Sequence, residues 1–282
     1  GLSPATRVIA GTNDTHASAV GAGAVEDFDG IIYIGTSAVL TCHIPFKKTD
    51  LRHMMASMPS PVKGRYLLLA EQGVGGKNLE HFLSNFIYAD DGFFKGRLPE
   101  DAYQRLDEVA EGVPPGSGNI IFLPWLNGTL APEENPNARA VFFNISLKTT
   151  RAHMSRAILE GIAFNNRWTR EAAEGFIGRR FSTFRFAGGG AVSDVWAQIH
   201  ADVLGVPIHR VSNPEHATVR GAALFAFCRL GVRSLEEIPK LVGIDNVFEP
   251  KQENRPVYGK LYQQFRALYR RNKRVFARLN AE

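Results

Sequence analysis

Short apolar runs alternate along this chain with stretches of helical spacing, the order expected of an α/β fold. The first run, residues 8–10, stops at Gly11 and is read as a strand that sets Asp14 on the turn or first helical turn after it. Residues 15–25 are rich in Ala and Gly, small enough for a helix to lie close to a sheet or a ligand. The run 31–34 breaks at Gly35-Thr36-Ser37 and resumes over 38–41, which predicts a hairpin with a polar tip. Backbone N–H groups and two hydroxyls at such a tip suit an anion, although Gly-Thr-Ser is also an ordinary turn and Asp an ordinary helix cap.

Residues 51–58, ending in Pro59-Ser60-Pro61, read as irregular surface, and 65–70 as a strand leading to Gln72-Gly73-Val74-Gly75-Gly76. The helix predicted over 77–86 carries Leu79, Phe82, Leu83 and Phe86 at helical spacing. A second helix begins at Pro99 and ends near Gly112 with Leu106 and Val109 inward, and 114–118 (Pro-Pro-Gly-Ser-Gly) reads as a linker. Strands follow at 120–123 and 141–143. Thr149 or Thr150 caps a helix with Met154, Ile158 and Ile162 on one face, in which His153 and Glu160 are read as structural hydrogen-bonding groups. The run 184–186 ends in Gly188-Gly189-Gly190. Ser193 or Asp194 then starts a helix with Val195, Trp196, Ile199 and Val203 inward, and 206–211 is the next strand. In such a strand, glycine turn and helix unit, the backbone can approach a phosphate or a base. The helix after Pro214 carries Gly221-Ala222-Ala223, a small face for tight packing or for a flat ligand.

Two fingerprints are excluded. A P-loop needs Gly at position 71 and Ser or Thr at 78, where Glu71 and Asn78 stand; a dinucleotide fingerprint needs Gly at 193, where Ser stands. Composition narrows the picture further. The chain has 282 residues, enough for one large domain or two small ones. Much of its net charge of +5 gathers near the end at Arg266, Arg270, Arg271, Lys273, Arg274 and Arg278. Interleaved with Leu261, Phe265, Leu268, Tyr269 and Phe276, these form an amphipathic helix with a solvated basic face. No nucleic-acid motif accompanies them, so nucleic acid is not expected as a partner; steep salt dependence in a gel shift would say otherwise. Cys42 and Cys228 lack disulfide or zinc spacing, and no metal site is expected of the side chains. With no membrane-length apolar run and no signal-peptide pattern at the start, a cytoplasmic protein is expected.

Several of these pieces fall in a familiar order: Gly11-x-x-Asp14-x-x-Ala17, Gly35-Thr36-Ser37, the segment 124–128 with Ala131-Pro132, His153-Met154-x-x-Ala157-Ile158-Leu159-Glu160, Gly188-Gly189-Gly190-x-x-Ser193, and Gly221-Ala222-Ala223. Together they resemble, over nearly the whole chain, the C-terminal domain of the FGGY family of carbohydrate kinases, in the actin-like ATPase (ribonuclease H-like) superfamily. The resemblance implies an α/β domain over 1–282, a mixed sheet flanked by helices. It implies ATP and Mg2+ as cofactors, a ketopentose or polyol as acceptor, and a homodimer among the assemblies it allows. Asp14 matches the general base that takes the proton of the sugar hydroxyl. Gly35 and Thr36, with Ser37 beside them, match the turn on the ATP phosphates. Gly189 and Ser193, in one turn with Gly188 and Gly190, match the adenosine site, and Gly75, Gly76 and Asn78 a further turn near the nucleotide.

There are departures. Asn144 stands where many members have Gly, and Thr129-Leu130 where xylulose kinases commonly have Glu-Arg. The N-terminal domain with its Asp-x-Gly-Thr phosphate motif and most of the sugar contacts is missing; Asp90-Asp91-Gly92-Phe93 lacks the Thr. The chain is therefore expected to be the C-terminal half of a kinase, inactive alone and partnered by the N-terminal domain. The rival expectations are a nucleotide-binding regulator without catalysis, which Asp14 argues against, and an actin-like ATPase working on a protein partner.

Overall fold

The computed structural model describes residues 1–281. Helix α1 (Asp14–Gly21) precedes the hairpin of β1 (Gly30–Ile34) and β2 (Ser37–Ile44), whose partners run from Ile34 opposite Ala38 to Ile31 opposite Thr41. Strands β3 (Thr49–Asp50), β4 (Met55–Pro59) and β5 (Tyr66–Val74) extend the sheet beyond β2. After α2 (Lys77–Phe82) and a π turn at Leu83–Ile87 come α3 (Ala102–Glu111) and the separate ribbon β6 (Ile121–Leu123) and β7 (Val141–Phe143). The long α4 (Arg151–Ile177) leads to β8 (Phe184–Ala187), α5 (Asp194–Leu204), β9 (Ile208–Val211), α6 (Ala217–Arg229), α7 (Ile238–Leu241), β10 (Ile244–Phe248) and α8 (Arg255–Asn280). The main sheet has eight strands in the order β10-β9-β8-β1-β2-β5-β4-β3, parallel between β1 and β8 and between β8 and β9, antiparallel elsewhere.

Alternation along the strands assigns the two faces. Ile32, Ile34, Leu68, Ala70, Phe184 and Phe186 point into one core with α3, α4, α5 and α8. Ile31, Leu67 and Ala187 point into the other, under α1 and α6. There Gly21 and Gly221 face one another: a Cβ on either would fall inside the contact distance of the opposite helix's carbonyl, at Ala217 and Ala17. The small face of α6 is thus used for helix packing. No helix among the described residues is long and apolar enough to cross a membrane, and both cysteines are free.

Four expectations need correction. Residues 8–10 form no strand, and Val8 is 95% exposed, because three apolar residues without a pairing partner gain nothing from extension. The segment 51–58 is not irregular throughout: β4 pairs with β5, and Met55 and Ser57 on alternate positions are buried. Val109 is 46% exposed, with Leu106 and Ala110 taking the inner face of α3. The expected linker at 114–118 is anchored, since Gly116 N and Ser117 Oγ donate to the buried Glu160 carboxylate at 2.9 and 2.7 Å. Two smaller departures have simple accounts. Asn144 has φ 72°, which Asn tolerates better than other side chains, and its amide donates to Asn119 O at 3.1 Å. Asp91 caps its own turn by accepting from Phe93 N and Phe94 N, so 90–93 is an exposed Asx turn.

A chain of buried polar groups runs beneath the sheet in one direction. Trp125 Nε1 donates to Asn165 Oδ1 (3.3 Å), Asn165 Nδ2 to Gln72 Oε1 (2.8 Å) and Gln72 Nε2 to Asn166 Oδ1 (2.6 Å). Asn166 Nδ2 then donates to His200 Nε2 (3.1 Å), and His200 Nδ1 to Trp196 O (2.8 Å). Protonated His200 would set a donor against a donor. Burial lowers its pKa to about 4, and likewise that of His43, which lies between Ala24 O and Ser60 Oγ. Both groups bind a proton more weakly folded than unfolded. Their contribution is therefore complete above the ordinary pKa of 6.5 and is lost as pH falls through about 4. A depression of this size corresponds to about 3 kcal/mol per histidine when fully protonated. The urea midpoint followed by tryptophan fluorescence is expected to drop steeply over that window. His43→Gln with His200→Gln should flatten the drop while lowering the midpoint at neutral pH; an unchanged slope would assign the acid lability to carboxylates.

Candidate functional site

The β1–β2 hairpin tip and the turn between β5 and α2 are joined backbone to backbone. Gly75 N donates to Thr36 O and Gly76 N to Gly35 O, each at 2.8 Å, and Lys77 N reaches Thr36 O at 3.3 Å. Only glycine permits this approach, because a Cβ on Gly75 would lie 2.6 Å from the Ser37 carbonyl and one on Gly76 2.6 Å from Gly35 O. Asn78 is buried beneath the turn, where its amide donates to Val74 O and Gly75 O at 3.1 and 3.0 Å. It braces the turn from behind.

The glycines after β8 divide their work. Gly188 has φ 89°, and a Cβ there would strike the Ile34 backbone; one on Gly190 would press on Ile34 and Trp196. Gly189 has open space where its Cβ would be. Ser193 caps α5 by accepting from Trp196 N at 3.0 Å.

These turns meet at a cavity of about 600 Å³, lined by Gly35, Thr36, Gly76, Gly189, Gly190 and Ser193, with Leu79, Leu106 and Trp196 as apolar wall and Lys77, Tyr103, Gln104 and Asp107 also bordering it. A neighbouring cavity of about 470 Å³ shares Thr36 and Lys77 and adds Ser37, Gly73 and the loop Asn127, Gly128, Thr129 and Leu130. Gly75, Asn78 and Gly188 support the first cavity without lining it.

Asp14 lies apart from both, on the exposed first turn of α1. Asn13 caps that helix, its Oδ1 accepting from His16 N at 2.9 Å. Ser18 holds the turn by donating to Asp14 O at 2.7 Å, and its hydroxyl meets Thr218 Oγ1 on α6 at 2.8 Å. Asp14 Oδ1 accepts only from its neighbour Thr15, at 2.8 Å from the backbone N.

Sequence reasoning missed Asp107. It is half-buried at the cavity, and burial pushes its pKa up to about 6; the Ser193 hydroxyl opposes the shift, while the charges of Asp194 and Glu111 add to it. A charged residue following Leu106 on an amphipathic helix reads as a solvated one, so no signal distinguishes it in the sequence.

A profile of the FGGY family of carbohydrate kinases, C-terminal domain, matches residues 30–230. The chain belongs to this family. The xylulose kinase of Staphylococcus epidermidis is 27% identical over 99% of this chain and 54% of its own length. The gluconokinase of Bacillus licheniformis is 26% identical over 94% of this chain and 51% of its own. Among solved structures, the xylulose kinase from Rhodospirillum rubrum superposes with a TM-score of 0.79 at 29% identity, covering 94% of this chain and 51% of that one. The fold is thus the α/β actin-like fold of FGGY kinases, and the chain spans about half the length of the curated relatives it matches.

The larger cavity has the size and lining of a cofactor site. It combines an apolar wall, a backbone cradle open above Gly189 and a hydroxyl-bearing tip at Thr36, in a volume typical of cofactor sites. Among the described residues no three His, Cys, Asp or Glu side chains cluster to hold a metal.

Proposed function

We propose that this chain is the nucleotide-binding half of an ATP-dependent kinase that phosphorylates a hydroxyl of a ketopentose such as xylulose, or of a related sugar acid or polyol. The observation that carries this reading is the convergence of the Gly35–Thr36 tip, Gly76 and the Gly189–Ser193 turn on one cavity. ATP with Mg2+ supplies the phosphoryl group. In this reading, Gly35, Thr36 and Ser37 hold the phosphate end and Gly189, Gly190 and Ser193 the nucleoside end. Thr36 and Lys77, common to both cavities, border the path between them. Phosphoryl transfer asks of the protein mainly positioning and charge stabilisation, which suits a site made of backbone turns and one carboxylate.

Asp14 is assigned the general base. The support is that Asn13 relieves it of the capping role and that Asp14 Oδ2 carries no hydrogen bond among the described residues. The curated relatives are about twice as long, and in the proposed enzyme the remaining half forms the opposite wall of the cleft, with most of the sugar contacts. The names of the relatives leave the acceptor open between a ketose and a sugar acid. A panel of D-xylulose, gluconate and polyols with the full-length protein decides it.

Gly189→Val tests the nucleotide site. A side chain at Gly189 meets no protein atom within 4 Å, so folding should survive while the ligand's space is occupied. The KM for ATP is expected to rise by roughly tenfold or more, on the order of one lost close contact region, with the urea midpoint nearly unchanged. An unaltered KM would return the turn to a purely structural role.

A further inference from the structure

Among the polar groups of the nucleotide cavity that the reading above leaves unused is a carboxylate with no ion-pair partner. Asp107 borders the cavity from α3, forms no ion pair among the described residues, and has the Ser193 hydroxyl as its one side-chain donor, while that oxygen accepts from Trp196 N. Its charged surroundings are unfavourable. Asp194 at the start of α5 and Glu111 on α3 add like charge, Glu80 lines the same cavity, and Lys77, the one cation there, is paired with Glu80 at 2.8 Å. A half-buried carboxylate with no cation and one hydroxyl donor has lone pairs unsatisfied, and donors on a ligand would relieve that cost.

The same charge argues for orientation. Repulsion keeps a triphosphate away from Asp107, and with the phosphates at the Gly35–Thr36 tip, as read above, the nucleoside lies beside Ser193 and Asp107. Nucleosides carry further donors, an exocyclic amine and ribose hydroxyls. Resting on the nucleotide reading above, we propose that Asp107 accepts a hydrogen bond from the nucleoside of the bound nucleotide and so fixes which nucleoside is preferred. The neighbouring Gln104 donates its amide N–H to Glu108 at 3.0 Å, so the acceptor it can still offer is a neutral oxygen, weaker than the Asp107 carboxylate. Burial already raises its pKa to about 6, and a ligand N–H or O–H favours the ionised form again.

The test is calorimetric titration of ADP, IDP and 2′-deoxy-ADP into the full-length protein, its Asp107→Ala variant and a Glu111→Gln variant as a control for charge alone. Alanine is the best helix former and no ion pair is lost, so the variant should fold. The wild type is expected to prefer ADP by about tenfold or more over IDP, if the amine is read, or over the deoxynucleotide, if the ribose is read, the usual scale for a hydrogen bond to a charged group. Asp107→Ala should shrink that preference to about twofold, within the scatter of a purely non-polar contact, and Glu111→Gln should keep it. A wild type without either preference, or a variant that changes all three affinities equally, overturns the assignment while the nucleotide site stands. Failure of the wild type to bind any of the three overturns the nucleotide reading as well.

Discussion

In the full-length protein, Asp14→Asn is expected to lower kcat by roughly 10²- to 10⁴-fold, the usual contribution of a positioned base. The side chain keeps its size and still accepts from Thr15 N, so what is removed is the proton acceptor. Two observations make the result interpretable. Asn13, not Asp14, caps α1, so a change at 14 does not loosen the helix start. Asp14 borders neither cavity, so nucleotide affinity should barely move. Steady-state kcat with the sugar that the intact protein phosphorylates, together with an ADP dissociation constant, separates the two effects. A kcat within a few-fold of wild type would take Asp14 out of the mechanism and weaken the kinase reading with it.

The parts of the fold legible in the sequence were those whose signal is local. The apolar runs 31–34 and 38–41 are broken by Gly-Thr-Ser, so the hairpin and its polar tip could be read directly, whereas the register and the split of Ile31 and Tyr33 from Ile32 and Ile34 between the two cores appear only in the structure. The triple glycine before Ser193 announced a tight turn and a cap. What stayed hidden depends on partners distant in sequence. Residues 114–118 look like a linker because nothing nearby needs them, yet Glu160, more than forty residues on, fixes Gly116 and Ser117. Strand β4 is recognisable only through its pairing with β5, since Met-Ala-Ser-Met-Pro has weak strand propensity of its own. The converse error at 8–10 has the same cause: an apolar triplet without a neighbour to pair with has no reason to be a strand.

The candidate site shows the same division. Motif order located the glycine turns, but not their distinct tasks. Gly75 and Gly76 let two backbones touch, Gly188 and Gly190 let a turn lie against Ile34, and Gly189 alone leaves room for something else. Asn78 braces its turn from behind, its Nδ2 donating to Val74 O and Gly75 O, while its buried Oδ1 has no partner among the described residues. Asp107 could not be found from sequence, because its meaning comes from the cavity formed when α3 is brought near the start of α5.

Glu160→Ala is expected to be the most damaging substitution for stability, at about 3–5 kcal/mol, the usual cost of removing one partner of a buried ion pair. The carboxylate is buried and takes four donors from three parts of the chain. Oε1 accepts from Gly116 N (2.9 Å), Arg156 Nε (2.8 Å) and Tyr258 OH (3.0 Å), and Oε2 from Ser117 Oγ (2.7 Å). Arg156 in turn donates through Nη1 to Ala110 O and through Nη2 to Tyr258 OH, each at 3.0 Å. One carboxylate therefore ties the end of α3, the loop after it, α4 and α8 together. Removing it strands a buried guanidinium and leaves Gly116 N and Ser117 Oγ without their acceptor. Replacing the pair together, with Arg156→Met and Glu160→Leu, removes the stranded charge and should recover a large part of the loss in urea denaturation. If Glu160→Ala alone costs less than about 1 kcal/mol, the ordinary worth of an exposed pair, this network does not hold α3 and the 114–118 loop in place, and the position of Asp107 at the cavity would need another cause.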